Sequence, residues 1–170
     1  MILKWIGAVL VICCCGGFGF RMAAGFRIEE SALQALERVL MFMHNELQYR
    51  LTPLPVLCKM AAGQCDGALR KAFYSFSEEL ETQIAPDASL CMTAALSRYP
   101  HLPPATKELM RQFGSTAGQI DLQGQLSEIE HLQNLCKHNL RQMSVNRDTR
   151  LRNYQTLGLC AGAALIILFI

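Results

Sequence analysis

The chain has 170 residues, 51% of them hydrophobic, and a mean hydropathy of +0.19, which is high for a soluble protein. That length allows one domain, with or without appendages. Sixteen Lys and Arg against 14 Asp and Glu leave a net charge of +2, which gives no support to nucleic-acid binding, a function that wants a basic face.

The apolar excess lies at the two ends. Met1–Phe20, "MILKWIGAVLVICCCGGFGF", carries one charge, Lys4, and is long enough for a bilayer, which takes about 20 apolar residues. A retained anchor is expected rather than a cleaved signal peptide. The leading segment has a single Lys and no clean small-x-small cleavage site, and Ile12 before Cys13 is a poor lipoprotein signal. Arg21 and Arg27 follow this segment.

The a/d spacing of Leu33, Leu36, Leu40, Met43 and Leu47 predicts a helix with one apolar face. Ser31 with Gln34 is a candidate cap for its start, unless the membrane helix runs straight on. Glu46 falls near its C-terminal end, where the helix dipole opposes a carboxylate, and Arg50 at i+4 is the expected partner. "TPLP" then breaks the chain. Thr52 is the expected N-cap, with Pro53 at the first helical position. This second helix runs to Ala62 and stops at Gly63.

Asp66 is expected to cap a third helix with a core stripe of Leu69, Phe73, Phe76 and Leu80. Pro86-Asp87 opens a short fourth helix to about Arg98, and Pro104 a fifth ending near Phe113-Gly114, with "GSTAGQ" as a loop. From Asp121 to Ile170 there is no proline. Leu122, Leu126, Ile129, Leu132, Cys136, Leu140 and Met143 keep a helical period. No segment alternates with period 2. The first and last long helices are expected to lie antiparallel.

Leu157–Ile170, "LGLCAGAALIILFI", is uncharged. Its 14 residues rise only about 21 Å against a hydrocarbon core of about 30 Å, so a span draws in Asn153–Thr156. Arg147, Arg150 and Arg152 precede it. The flanking arginines at both ends place the middle of the chain in the cytoplasm by the positive-inside rule. The expected organisation is therefore an all-α, antiparallel cytoplasmic bundle over residues 27–152, flanked by an N-terminal transmembrane helix over 1–26 and a C-terminal one over 153–170.

Cys58, Cys65, Cys91 and Cys136 have no paired spacing and read as small buried hydrophobes in a reducing compartment. No phosphate loop, GxSxG or HExxH motif is present, and His44, His101, His131 and His138 lack ligand spacing. Glu78, Glu79 and Glu81 read as a solvated face. No catalytic residue, metal site or cofactor is expected.

"ALERVLMFMHNELQYRLTPLPVLCKMA", "FGSTAGQIDLQGQLSEIEHL" and "YQTLGLCAGAALIILFI" together resemble the stage III sporulation protein AB family over essentially the whole chain, most specifically at Glu46–Leu54. The cysteine-rich first segment and Phe113, where the family often has leucine, depart from its pattern. The resemblance implies a non-catalytic membrane platform in the channel-like apparatus between mother cell and forespore. It further implies a fold similar to the cytoplasmic domains of type II secretion and type IV pilus platform proteins. The implied partners are a cytoplasmic secretion-type ATPase, other channel membrane proteins and membrane lipid, with no nucleic acid and no small-molecule substrate. The implied place is the mother-cell membrane facing the forespore. Glu46, Tyr49, Thr52, Pro53, Leu54 and Asp121 are the candidate partner-binding residues. A membrane-anchored adaptor or signalling protein unrelated to transport is the competing reading, and an enzyme using one of the four cysteines a weaker third.

Overall fold

The computed structural model describes the backbone of residues 2–82, 87–117 and 121–169, and side chains over 25–82, 87–117 and 121–145. The described residues form six helices and no strand: α1 (Ile2–Arg50), α2 (Leu54–Ala62), α3 (Gly67–Thr82), α4 (Ala88–Ser97), α5 (Pro104–Thr116) and α6 (Leu122–Phe169). The all-α expectation holds. Among the described residues no helix is long and apolar enough to cross a membrane. The expected membrane segments, 1–26 apart from its last two residues and 153–170, with Arg21, Arg147, Arg150 and Arg152, lie outside the described side chains, whereas Arg27 is described and exposed.

The chain divides into two compact units. One comprises residues 1–28 and 141–170, the ends of the two long helices, and the other residues 29–140. The core lies in the second. Leu33, Leu36, Leu40, Met43 and Leu47 are all buried, so the a/d stripe of α1 does what its spacing requires. Ile129, Leu132 and Cys136 of α6 are buried as well, while Leu122 is exposed and Leu126 and Leu140 are half-buried. Leu47 lines a cavity with Gln125, Glu128 and Ile129, and the charge of Glu37 acts on Cys136. Ten residues back along α1 thus correspond to a similar step forward along α6, and within this unit the two helices run antiparallel.

Consecutive short helices pack on each other, α2 on α3, α3 on α4 and α4 on α5. Phe73 and Phe76 carry the apolar face of α3, and Phe76 meets Phe113 of α5 edge to face at 6.3 Å between ring centroids. Asp87 caps α4 as expected, its Oδ1 accepting from the Ser89 N–H at 3.2 Å. Arg98 at the end of α4 pairs with Glu79 of α3.

Three local expectations need correction. Ser31 starts no helix, because α1 runs unbroken through it. Thr52 is not the N-cap of α2: Pro53 holds that position and Pro55 sits in the first turn, one residue later than the usual proline preference predicts. The end of α2 at Gly63 holds as expected, with a right-handed backbone there, and among the described glycines Gly67 takes positive φ, at +64°. Finally, α5 continues through Ser115 and Thr116 instead of opening into a loop at Gly114. The Ser115 hydroxyl donates to the Gln112 carbonyl at 2.7 Å and the Thr116 hydroxyl to that of Phe113 at 3.2 Å, inside the helix.

Gly114 is there for room rather than for termination. A Cβ built on it lies 2.4 Å from Met92 Cβ and 2.8 Å from Met92 Cγ, and these atoms at the base of the side chain have nowhere to swing. Alanine gains about 1 kcal/mol of helix propensity over glycine, but forced overpacking costs about 1–3 kcal/mol. Gly114→Ala is therefore expected to destabilise the bundle by about 1–2 kcal/mol, read as a lower urea midpoint at unchanged slope. A midpoint that rises would show α4 and α5 separating freely.

Candidate functional site

The end of α1, the "TPLP" corner and the start of α6 come together at one tip of the 29–140 unit. Leu47, Leu54 and Leu57 share a cavity of about 10 Å³ with Phe113, Thr116, Ala117, Gln125, Glu128 and Ile129. Leu54 therefore packs inward and holds the corner to α5 and α6. Gln112 donates to Glu128 Oε1 at 3.3 Å beside it.

Glu46 accepts from Arg50 Nη1 at 3.2 Å, the i+4 ion pair expected from the sequence. The pair is lopsided: the Glu46 side chain is 12% exposed and that of Arg50 71%. Such a pair is worth little as free-standing stability; it offsets a carboxylate placed against the dipole of the α1 C-terminus. Asp121 serves α6 locally, with its Oδ1 accepting from the Gly124 N–H at 3.0 Å and its carbonyl from the Gln125 N–H at 2.9 Å. Thr52 is half-buried and Pro53 exposed.

Of the six candidate residues, Tyr49, Pro53 and Asp121 are exposed, Tyr49 at 79%. Two exposed apolar neighbours were not legible beforehand, Leu51 at 63% and Val56 at 46%. Leu51 also adopts φ +53°, the left-handed conformation that ordinarily falls to glycine after a helix, with its N–H donating to the Leu47 carbonyl at 3.3 Å. A branched residue there costs about 1–2 kcal/mol of backbone strain. Allowing for glycine's greater freedom when unfolded, Leu51→Gly is expected to stabilise the bundle by up to about 1 kcal/mol. Thermal unfolding checks this, and a lower Tm would mean that the Leu51 side chain contributes packing that outweighs its strain.

The arrangement offers surfaces for contact. Among the described residues no group of three or more His, Cys, Asp or Glu is placed to hold a metal ion. Cys58, Cys65, Cys91 and Cys136 are all buried free thiols. Burial pushes the Cys58 thiol far up and that of Cys136 to about 12, with a smaller push from Glu37; Cys65 rises to about 11 through burial and the Asp66 carboxylate, against a lowering by Arg70. Such thiols stay protonated, a poor starting point for a nucleophile. Cys65 instead points its Sγ at the Ala61 and Ala62 carbonyls, at 3.6 and 3.7 Å, closing the end of α2.

Among the described residues the 29–140 unit is an all-helical bundle in which α1 and α6 run antiparallel beside an apolar corner. The family model of stage III sporulation protein AB matches residues 4–170, and the chain belongs to that family. It is 25% identical over 172 residues to the stage III sporulation protein AB of Bacillus subtilis (strain 168), covering 98% of both chains. A solved structure of a stage III sporulation protein AB shares its fold, with a TM-score of 0.63 at 19% identity, over 72% of this chain and 98% of that one. A role in sporulation follows from the family.

Proposed function

We propose that this chain is a non-catalytic membrane platform of the mother cell–forespore channel apparatus, acting by binding rather than turnover. In this reading residues 1–26 and 153–170 span the mother-cell membrane facing the forespore, and residues 27–152 lie in the cytoplasm. The cytoplasmic bundle tethers a secretion-type ATPase and joins it to channel subunits. Sequence hydropathy and the arginines at 21, 27, 147, 150 and 152 support the topology. The observation that carries the tethering is the tip. Tyr49, Leu51 and Val56 are exposed together around a backbone position held under strain, and such strain clusters where a surface is kept for use. Exposed aromatic and aliphatic anchors are also the groups that dominate protein interfaces.

The test has two arms. With native cysteines replaced and one placed at Ser115, an exposed position on α5, spheroplasts are treated with a membrane-impermeant maleimide. Protection until permeabilisation is the expected result, and immediate labelling would overturn the cytoplasmic placement. In the second arm the full chain is purified with its partners from sporulating cells. The ATPase is expected with the parent and reduced at least ten-fold with Tyr49→Ala/Val56→Asp. Capture of a regulatory protein in its place would favour the adaptor reading.

A further inference from the structure

The outward face of α3 is arranged against its own helix. Arg70 stands in the first turn, followed by Lys71, whereas Glu79 and Glu81 stand in the last turn with Glu78 just before them; the first turn holds no acidic residue and the last no basic one, and Asp66, directly before the helix, is the one local carboxylate on the basic side. Cations at a helix N-terminus and anions at its C-terminus both oppose the macrodipole. Within α3 no opposite charge lies three or four residues from any of them, Asp66 standing four before Arg70 but outside the helix. Glu79 finds Arg98, but among the described residues Arg70, Lys71, Glu78 and Glu81 make no ion pair. Asp66 offsets part of the charge at the basic end, and nothing within α3 offsets Lys71, Glu78 or Glu81.

The four charges also share one side. At about 100° per residue, Arg70, Lys71, Tyr74, Glu78 and Glu81 fall within about 100° of arc, and all five are exposed, Tyr74 at 45%. The basic end opens into a cleft of about 380 Å³ that Lys59 and Tyr99 complete, with Tyr99 fixed by a 3.0 Å hydrogen bond to Ser75. The result is a stripe with a basic cleft at one end, a tyrosine at its centre and carboxylates at the other.

The surface complementary to that stripe is the same stripe reversed, and we propose that α3 pairs antiparallel with α3 of a second copy of this chain. Arg70 and Lys71 of each copy meet Glu81 and Glu78 of the other, and the two Tyr74 side chains flank the two-fold axis. Such an isologous contact is the commonest form of oligomer symmetry. It turns every charge that opposes its own helix into one that faces an opposite charge, and it sets the two helix dipoles antiparallel. One helix face is smaller than the roughly 800 Å² per partner of a stable interface, so the dimer is weak and sensitive to salt. The inference does not rest on the ATPase-tethering reading.

The experiment uses the full chain in native membranes, with Tyr74 replaced by a photoreactive phenylalanine analogue. A cross-linked product of twice the chain mass is expected. Arg70→Glu/Lys71→Glu should cut its yield at least ten-fold, and so should Glu78→Lys/Glu81→Lys. The quadruple reversal should restore it, because a self-complementary stripe stays complementary when all its signs change. No dimer product, a yield unaffected by charge reversal, or failure of the quadruple variant to recover would each overturn the proposal. A product of another mass in place of the dimer would assign the stripe to a different, acidic protein and overturn it too. All four positions are exposed, and unchanged circular dichroism of each variant separates lost pairing from lost folding.

Discussion

Phe76→Ala is expected to cost the bundle about 3–5 kcal/mol, the range for removing a large buried aromatic side chain. Phe76 is fully buried on α3 and meets Phe113 of α5 edge to face, so its removal empties space shared by helices remote from one another in sequence. Transfer energy of the lost ring sets the lower end, and the cavity left by neighbours that cannot collapse sets the upper. With total stabilities of about 5–15 kcal/mol for domains, this one change brings the bundle close to unfolding at growth temperature. Chemical unfolding of the parent and variant measures it. A double-mutant cycle using Phe76→Leu and Phe113→Leu is expected to give a coupling of about 0.5–1.5 kcal/mol for the ring pair. A cost below about 1.5 kcal/mol for Phe76→Ala would mean that the core refills from its surroundings.

The second large effect is a loss of stability in alkali. Cys58, Cys65 and Cys136 are raised from an ordinary 9.0, Cys65 to about 11 and Cys136 to about 12. Below pH 9 both folded and unfolded chains hold these protons, and the contribution is fully present. Above pH 9 the unfolded chain releases them while the folded chain does not, so stability falls as pH rises toward the folded values. One unit above 9 the loss is about 1.4 kcal/mol per thiol, or about 4 kcal/mol for three. Urea unfolding under reducing conditions at pH 8 and pH 10 reads it against the Cys58→Ala/Cys136→Ala variant, which shares every other titrating group. The parent is expected to lose about 3 kcal/mol more than the variant. Equal losses would mean that the thiols ionise in place.

Much of the fold was legible because its signals are local. The α1 stripe, the Asp87 cap, the Glu46–Arg50 pair and the burial of the four cysteines all follow from spacing or from residue chemistry within a turn or two. What escaped was set by tertiary contact. Gly114 reads as a helix stop, and only the position of Met92 shows that it is a helical residue kept small. Leu51 reads as an ordinary apolar residue, and its left-handed backbone follows from how α1 and α2 must meet. The acidic run at Glu78–Glu81 reads as a solvated face. Its relation to Arg70 and Lys71 emerges once α3 is known to be a single helix with its opposite face buried.

The order in which these helices meet also governs how the protein is made. The contacts from α2 through α5 join neighbours in sequence, and such local pairs form early in folding. The antiparallel match of α1 with α6 joins residues much further apart in the chain, because Leu47 must wait for Ile129, and Glu37 for Cys136. On the ribosome α1 therefore emerges well before the partner that completes its burial, and a chain stalled after α5 exposes part of the Leu33–Leu47 stripe to solvent. Exposed stripes of that kind draw aggregation and chaperones. Closure of α6 over α1 is the step that turns a nascent string of helices into a finished bundle.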